Sequence, residues 1–199
     1  MTRGEAAIGS SSDLLVRLRE GTAGSHIRLE EALGILNLPL ARDRFVVLLE
    51  RFHGFHAVWE PAVAPWFEPA FLSPRRRTHL LEADLASLGR SLEAAHPLPC
   101  AAAADLARTA EQALGSLYVM EGSTLGGQVI SRGFAGTVWA EGLRYFNPYG
   151  RGTGGMWAAF KAMVQQRSNG TTDPKIMAGA IATFELLQDW LRPAFREAE

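Results

Sequence analysis

From Asp13 onward apolar residues return every third or fourth position and no stretch alternates apolar with polar, so this chain can bury its hydrophobic surface only by packing helices. Asp13 is a natural N-cap. Leu14, Leu15, Leu18, Thr22, His26, Leu29 and Leu33 then fall on one helical face. A second helix is expected from Ala41 to Trp59, ending near Glu60-Pro61 because a residue before proline is pushed out of the α region. A third is expected after Ser73-Pro74, reaching Glu93 before the break His96-Pro97-Leu98-Pro99. The alanine-rich run from Ala101 to Met120 favours one long helix that continues into the glycine-bearing stretch ending at Phe134. Residues 141–155 read as a loop, and helices follow at 156–168 and 173–191. The expectation is an all-α fold: a single domain over residues 13–199 after a polar lead-in at 1–12.

Composition narrows the function classes. The 199 residues suffice for a large buried core, and 47% of them are hydrophobic. A formal net charge of −1 gives no support for a nucleic-acid partner. The one cysteine, Cys100, has no internal partner, which suits a reducing, cytoplasmic setting. The opening MTRGEAAIGSSSD lacks the apolar core of a signal peptide, and no run of about 18 apolar residues suggests a membrane span.

Two segments can carry chemistry. In Gly21-Thr22-Ala23-Gly24-Ser25-His26-Ile27-Arg28-Leu29-Glu30, His26 and Glu30 share a face one turn apart, with Thr22 a turn earlier. A carboxylate there can hold one ring nitrogen and leave the other for a metal; a core histidine with an incidental partner fits the spacing equally. In the second segment Gly115, Gly122 and Gly126 fall roughly on one stripe, although each glycine in a helix costs about 1 kcal/mol relative to alanine. A bare stripe admits either a flat ligand or a closely packed neighbouring helix, and Gly126-Gly127 favours a kink. No strand precedes these glycines and no phosphate-loop spacing occurs. Arg19, two turns before His26, and Lys161 on a late helix can meet an anionic group at the edge of the His26 surface, or lie in solvent.

The segments LREGTAGSHIRLEEAL, RFHGFHAVWEP, LYVMEGSTLGGQVISR and FELLQDWL, in that order, resemble the heme oxygenase family, most closely its bacterial branch that includes suppliers of biliverdin to bacteriophytochromes. The resemblance implies a single-domain helical fold that binds heme as both prosthetic group and substrate. It uses O2 and electrons from an external donor such as a ferredoxin or flavin reductase, and releases biliverdin, iron and carbon monoxide. It implies His26 as the iron ligand and Glu30 as the carboxylate hydrogen-bonded to it; Thr22, on their face by spacing, is a further candidate for cofactor contact. Gly122, Gly126 and Gly127 match the distal glycines over the ring. Arg19 and Lys161 match basic residues near the propionates, and Phe184 matches a pocket-wall aromatic. Many members carry an aspartate directly after the first distal glycine, where it anchors the waters that deliver protons; here that position is Ser123. Either the water network is organised differently or turnover is poor.

The other candidates are weaker. His53 and His56 lie three apart, but no nearby carboxylate or cysteine completes a ligand set, so a structural or surface role is expected. His79 and His96 read as surface residues. Arg75-Arg76-Arg77 reads as a solvated face, or a docking site for an acidic electron donor. Two rivals remain: a heme binder without catalysis, and a heme-free enzyme of the thiaminase kind, which needs Cys100 or a carboxylate cluster as its nucleophile.

Overall fold

The helix entered through Thr172 is the one on which the others assemble. In this computed structural model, which describes residues 11–33, 41–90, 98–133 and 143–194, that helix is the last of seven. The seven are α1 (Ser11–Leu33), α2 (Arg42–Val63), the single turn α3 (Pro69–Leu72), α4 (Thr78–Ser87), α5 (Ala110–Gly133), α6 (Thr153–Arg167) and α7 (Asp173–Leu191). No strand occurs among the described residues. Residues 1–10 of the expected lead-in and His96 lie outside them, as does the end expected at Glu93; residues 11 and 12 belong to α1, which starts two residues before the expected cap at Asp13.

Along α7, Ile176, Ala180, Thr183, Phe184, Leu187 and Leu191 are buried at three- and four-residue spacing, one continuous stripe. It packs against both α5 and α1. The contact with α5 is backbone against backbone. A Cβ on Gly115 would stand 2.0 Å from the Ile176 carbonyl oxygen, and one on Gly179 would stand 2.7 Å from that of Gln112. Glycine at both positions is therefore a condition of the packing. On the other side α1 buries Leu14, Leu18, Thr22 and Ser25. α2 contributes Phe45, Leu49, Phe55 and Trp59 to the same core, and Trp59 donates its indole N–H to Ser116 Oγ at 2.7 Å. Each such large apolar side chain, fully buried, contributes about 1.5–3 kcal/mol.

Four other boundaries differ from expectation. α2 does not stop at Glu60 but runs through Pro61 to Val63, because Trp59 and Val63, both buried, anchor the chain on either side of the proline. Thr78, not Pro74, opens α4. The alanine-rich run is not one helix: Ala101–Ala107 is a 3₁₀ segment, and α5 begins afresh at Ala110. The reason is local: Thr109 Oγ1 accepts the Gln112 N–H at 3.3 Å, and Thr109-Ala110-Glu111-Gln112 has the spacing of a capping box. The expected loop at 141–155 is shorter than predicted, since α6 starts at Thr153.

Candidate functional site

Helices α1 and α5 meet where the Tyr118 phenol reaches the Thr22 side chain, with the Arg19 charge nearby. Burial raises the Tyr118 pKa, so the phenol stays protonated there. Trp157 and Phe160 of α6 back its ring at 6.1 and 6.5 Å between centroids. His26 follows Thr22 by one turn on α1, and Gly122 follows Tyr118 by one turn on α5.

The two sequence readings of His26 separate on its exposure. Its side chain is 51% exposed, so it is not a core histidine. Its Nδ1 lies 3.3 Å from Glu30 Oε2, which leaves Nε2 as the nitrogen for a ligand role. The Phe184 ring, buried on α7, stands edge-on to the imidazole at 5.9 Å and 73°.

The glycine stripe divides. Gly115 belongs to the α5–α7 seam, so the packing reading holds there. A Cβ on Gly122 or Gly126 would meet nothing within 4 Å, so these two form an open face. Gly127 turns the other way, where a Cβ would be 2.2 Å from the Phe146 carbonyl oxygen. Ile27 beside His26 and Leu125 beside Gly126 are large apolar residues left 54% and 46% exposed. An exposed imidazole, two open glycines, exposed apolar neighbours and the exposed Arg19 are, in kind, the groups that a flat, largely apolar, anionic ligand containing a metal requires. Lys161 is half-buried on α6, which packs against both α1 and α5. Thr22 is enclosed where α1 meets α5 and donates to the Leu18 carbonyl at 2.7 Å.

The arginine run corrects the sequence expectation. Only Arg76 is exposed; Arg75 and Arg77 are buried. Their partner is Glu121 on α5, 1% exposed, at 3.4 Å from Arg75 Nε and 3.4 Å from Arg77 Nη2. Tyr149 donates to Glu121 Oε1 at 2.6 Å, and burial first of all lifts that phenol to a pKa of about 12. Arg77 also donates to the Met120 carbonyl at 2.6 Å and to Ser123 Oγ at 3.2 Å. Glu60 supplies the second carboxylate: its Oε1 accepts the backbone N–H groups of Arg77 at 2.6 Å and Thr78 at 2.9 Å, capping α4 from another helix.

His56 is corrected as well, since a carboxylate does stand beside it. Glu60 is four residues on, and the imidazole is fully buried between Glu60 Oε1 and the Tyr145 hydroxyl, each at 3.2 Å. Burial lowers its pKa from the ordinary 6.5, an effect that Glu60 only partly offsets. Burial alone would raise the Glu60 carboxyl, but the bond from His56 and the two amides outweigh it and hold the group below the ordinary value. Between 6.5 and the lower folded value of His56, the unfolded chain takes up a proton that the folded chain refuses. Stability therefore falls as pH falls, by up to about 1.4 kcal/mol per pH unit. Stabilisation from Glu60 is lost at lower pH, as its depressed folded value is crossed. His56→Gln can keep both hydrogen bonds without titrating. Its urea midpoint should decline less than that of the wild type between about pH 7 and 5.5. Equal declines would overturn this account. His53 pairs with Glu82 at 3.5 Å, and His79 is exposed.

A family model described as Heme oxygenase matches residues 12–193. This chain belongs to the heme oxygenase family. A curated relative named heme oxygenase, from Xanthomonas campestris pv. campestris, is 34% identical over 148 residues, covering 71% of this chain and 85% of its own. The structure of heme oxygenase from Leptospira interrogans superposes with a TM-score of 0.75 at 19% identity, covering 90% of this chain and 98% of that one. Heme oxygenase-2 from Synechocystis sp. PCC 6803, solved with heme and NO, gives 0.70 at 20% identity, covering 91% and 84%. These structures share the heme oxygenase fold seen here. No helix among the described residues is long and apolar enough to cross a membrane.

Proposed function

We propose that this member of the family carries out the oxidative opening of heme, with His26 as the iron ligand and the bare face of Gly122 and Gly126 over the ring. The observations that carry this reading are an exposed imidazole held by a carboxylate on α1 and a bare glycine face on α5, both helices packed on α7. Glu30 holds Nδ1 and keeps Nε2 free for iron. Gly122 and Gly126, with open space at each Cβ position, would leave room for O2 over bound heme, with Ser123 next to Gly122 in the chain. Arg19 and Lys161 are the cations for the two propionates. Phe184 walls the ring on the α7 side, and Gly127 sets how closely α5 approaches the Phe146 segment. When bound, heme supplies the redox chemistry: its iron activates O2 and its ring opens to biliverdin, with release of iron and carbon monoxide. Orientation, exclusion of bulk water and the placing of protons fall to the protein.

Electrons come from an external donor of the ferredoxin or flavin-reductase kind, in the cytoplasm, and the product suits a bacteriophytochrome. A thiaminase-like reading is disfavoured, since Cys100 is buried and burial raises its thiol pKa. The test is a heme titration followed by reductant in air. A histidine-type Soret band, then biliverdin by chromatography, is the expected course. A bound heme that survives reductant and air would make the protein a heme carrier instead.

A further inference from the structure

Ser123 stands where many family members carry an acid, and its hydrogen bonds define what it can offer. A hydroxyl has one proton and two lone pairs. The Ser123 proton goes to the Met120 carbonyl oxygen at 2.8 Å, and one lone pair accepts from Arg77 Nη1 at 3.2 Å. What remains is a single acceptor position on an exposed residue beside the open glycines. Arg77 cannot drift from this role. Its other terminal nitrogen is bonded to the same Met120 carbonyl, and the guanidinium is buried against Glu121 and beneath the Tyr149 ring at 5.8 Å. Burial works against its charge, but Tyr149, Tyr145 and Glu121 outweigh that and hold its pKa above the ordinary guanidinium value. The buried charges nearby are Arg75, Arg77, Glu121 and Glu60, two of each sign.

We propose that Arg77 is a positioning residue for this site: by occupying Ser123 from below, it turns a rotatable hydroxyl into a fixed hydrogen-bond acceptor. Ser123 then presents to the waters of the open face the acceptor character of a carboxylate without its charge. A water there must donate to Ser123, which leaves its own lone pairs and second proton for the ligand. The inference rests on heme being bound as described above.

The experiment is a pH titration of the visible spectrum of the ferric heme complex, following the conversion of its bound water to hydroxide. Wild type, Arg77→Lys, Ser123→Ala and the double variant are compared. Water is a better donor than hydroxide, so a fixed acceptor favours the water form. Arg77→Lys keeps the charge but loses the fork that grips both Ser123 and the Met120 carbonyl. With Arg77 no longer occupying one lone pair, only the Met120 carbonyl holds the hydroxyl proton, which can exchange that bond for one toward the open face. Each single variant should shift the midpoint down by about half a pH unit, a roughly threefold change in proton affinity. The double variant should move no further than either. An unmoved midpoint in Arg77→Lys, or additive shifts in the double variant, would overturn the proposal. If Arg77→Lys does not fold, Ser123→Ala, which leaves every buried charge in place, decides: an unmoved midpoint there is equally fatal. A wild-type chain that binds no heme overturns the functional reading itself, a result the Soret titration shows separately.

Discussion

In His26→Ala, ring opening should fall by more than about a hundredfold while the protein stays folded. The imidazole is half in solvent, so its removal should change stability by no more than about 0.5 kcal/mol. The heme spectrum should lose its histidine-ligated character and regain it when imidazole is added. Glu30→Ala should act in the same direction but less severely, by about 10- to 100-fold, the usual cost of removing the group that orients a metal ligand. An unchanged Soret band and iron–histidine stretch in His26→Ala would place the ligand elsewhere.

The second large effect comes from glycines that look alike in the sequence. Gly115→Ala should cost at least about 3 kcal/mol, a fall of roughly 6–12 °C in Tm, because its Cβ would collide with backbone that no rotamer can move aside. The Ile176 carbonyl oxygen stands 2.0 Å from that Cβ. In Gly126→Leu the added Cβ meets nothing within 4 Å, and leucine has the higher helix propensity. Its Tm should hold or rise while ring opening falls at least about tenfold, the side chain filling space that O2 and the ring need. Calorimetry and single-turnover assays on the same preparations separate the two. If Gly126→Leu unfolds early yet works normally per folded molecule, its glycine serves packing and the open face is misread.

The contrast shows where legibility ends. Periodicity located α7 over residues 173–191, since its buried stripe is a pattern internal to the helix. The start of α5 was also local, written in Thr109 and Gln112, but the helix propensity of four successive alanines masked it. The site histidine was legible as a pair with Glu30, yet His56 and Glu60 have the same spacing. Only tertiary packing exposes one pair and buries the other. Arg75 and Arg77 were unreadable for a different reason. Their burial depends on Glu121, more than forty residues away, and a charge run without a known partner looks solvated. Glycine spacing likewise could not tell Gly115, against α7, from Gly122 and Gly126, against nothing.

The buried chain through His56 is also polar in direction. Tyr145 donates to Nε2, Nδ1 donates to Glu60, and the amides of Arg77 and Thr78 donate to the same oxygen. Every proton points inward to one carboxylate. To pass a proton outward along this line, each bond would have to reverse in turn and Glu60 would first have to be protonated, which its depressed pKa opposes. The buried line therefore serves as a clasp, tying α2 to the start of α4 and to the Tyr145 segment through one shared carboxylate.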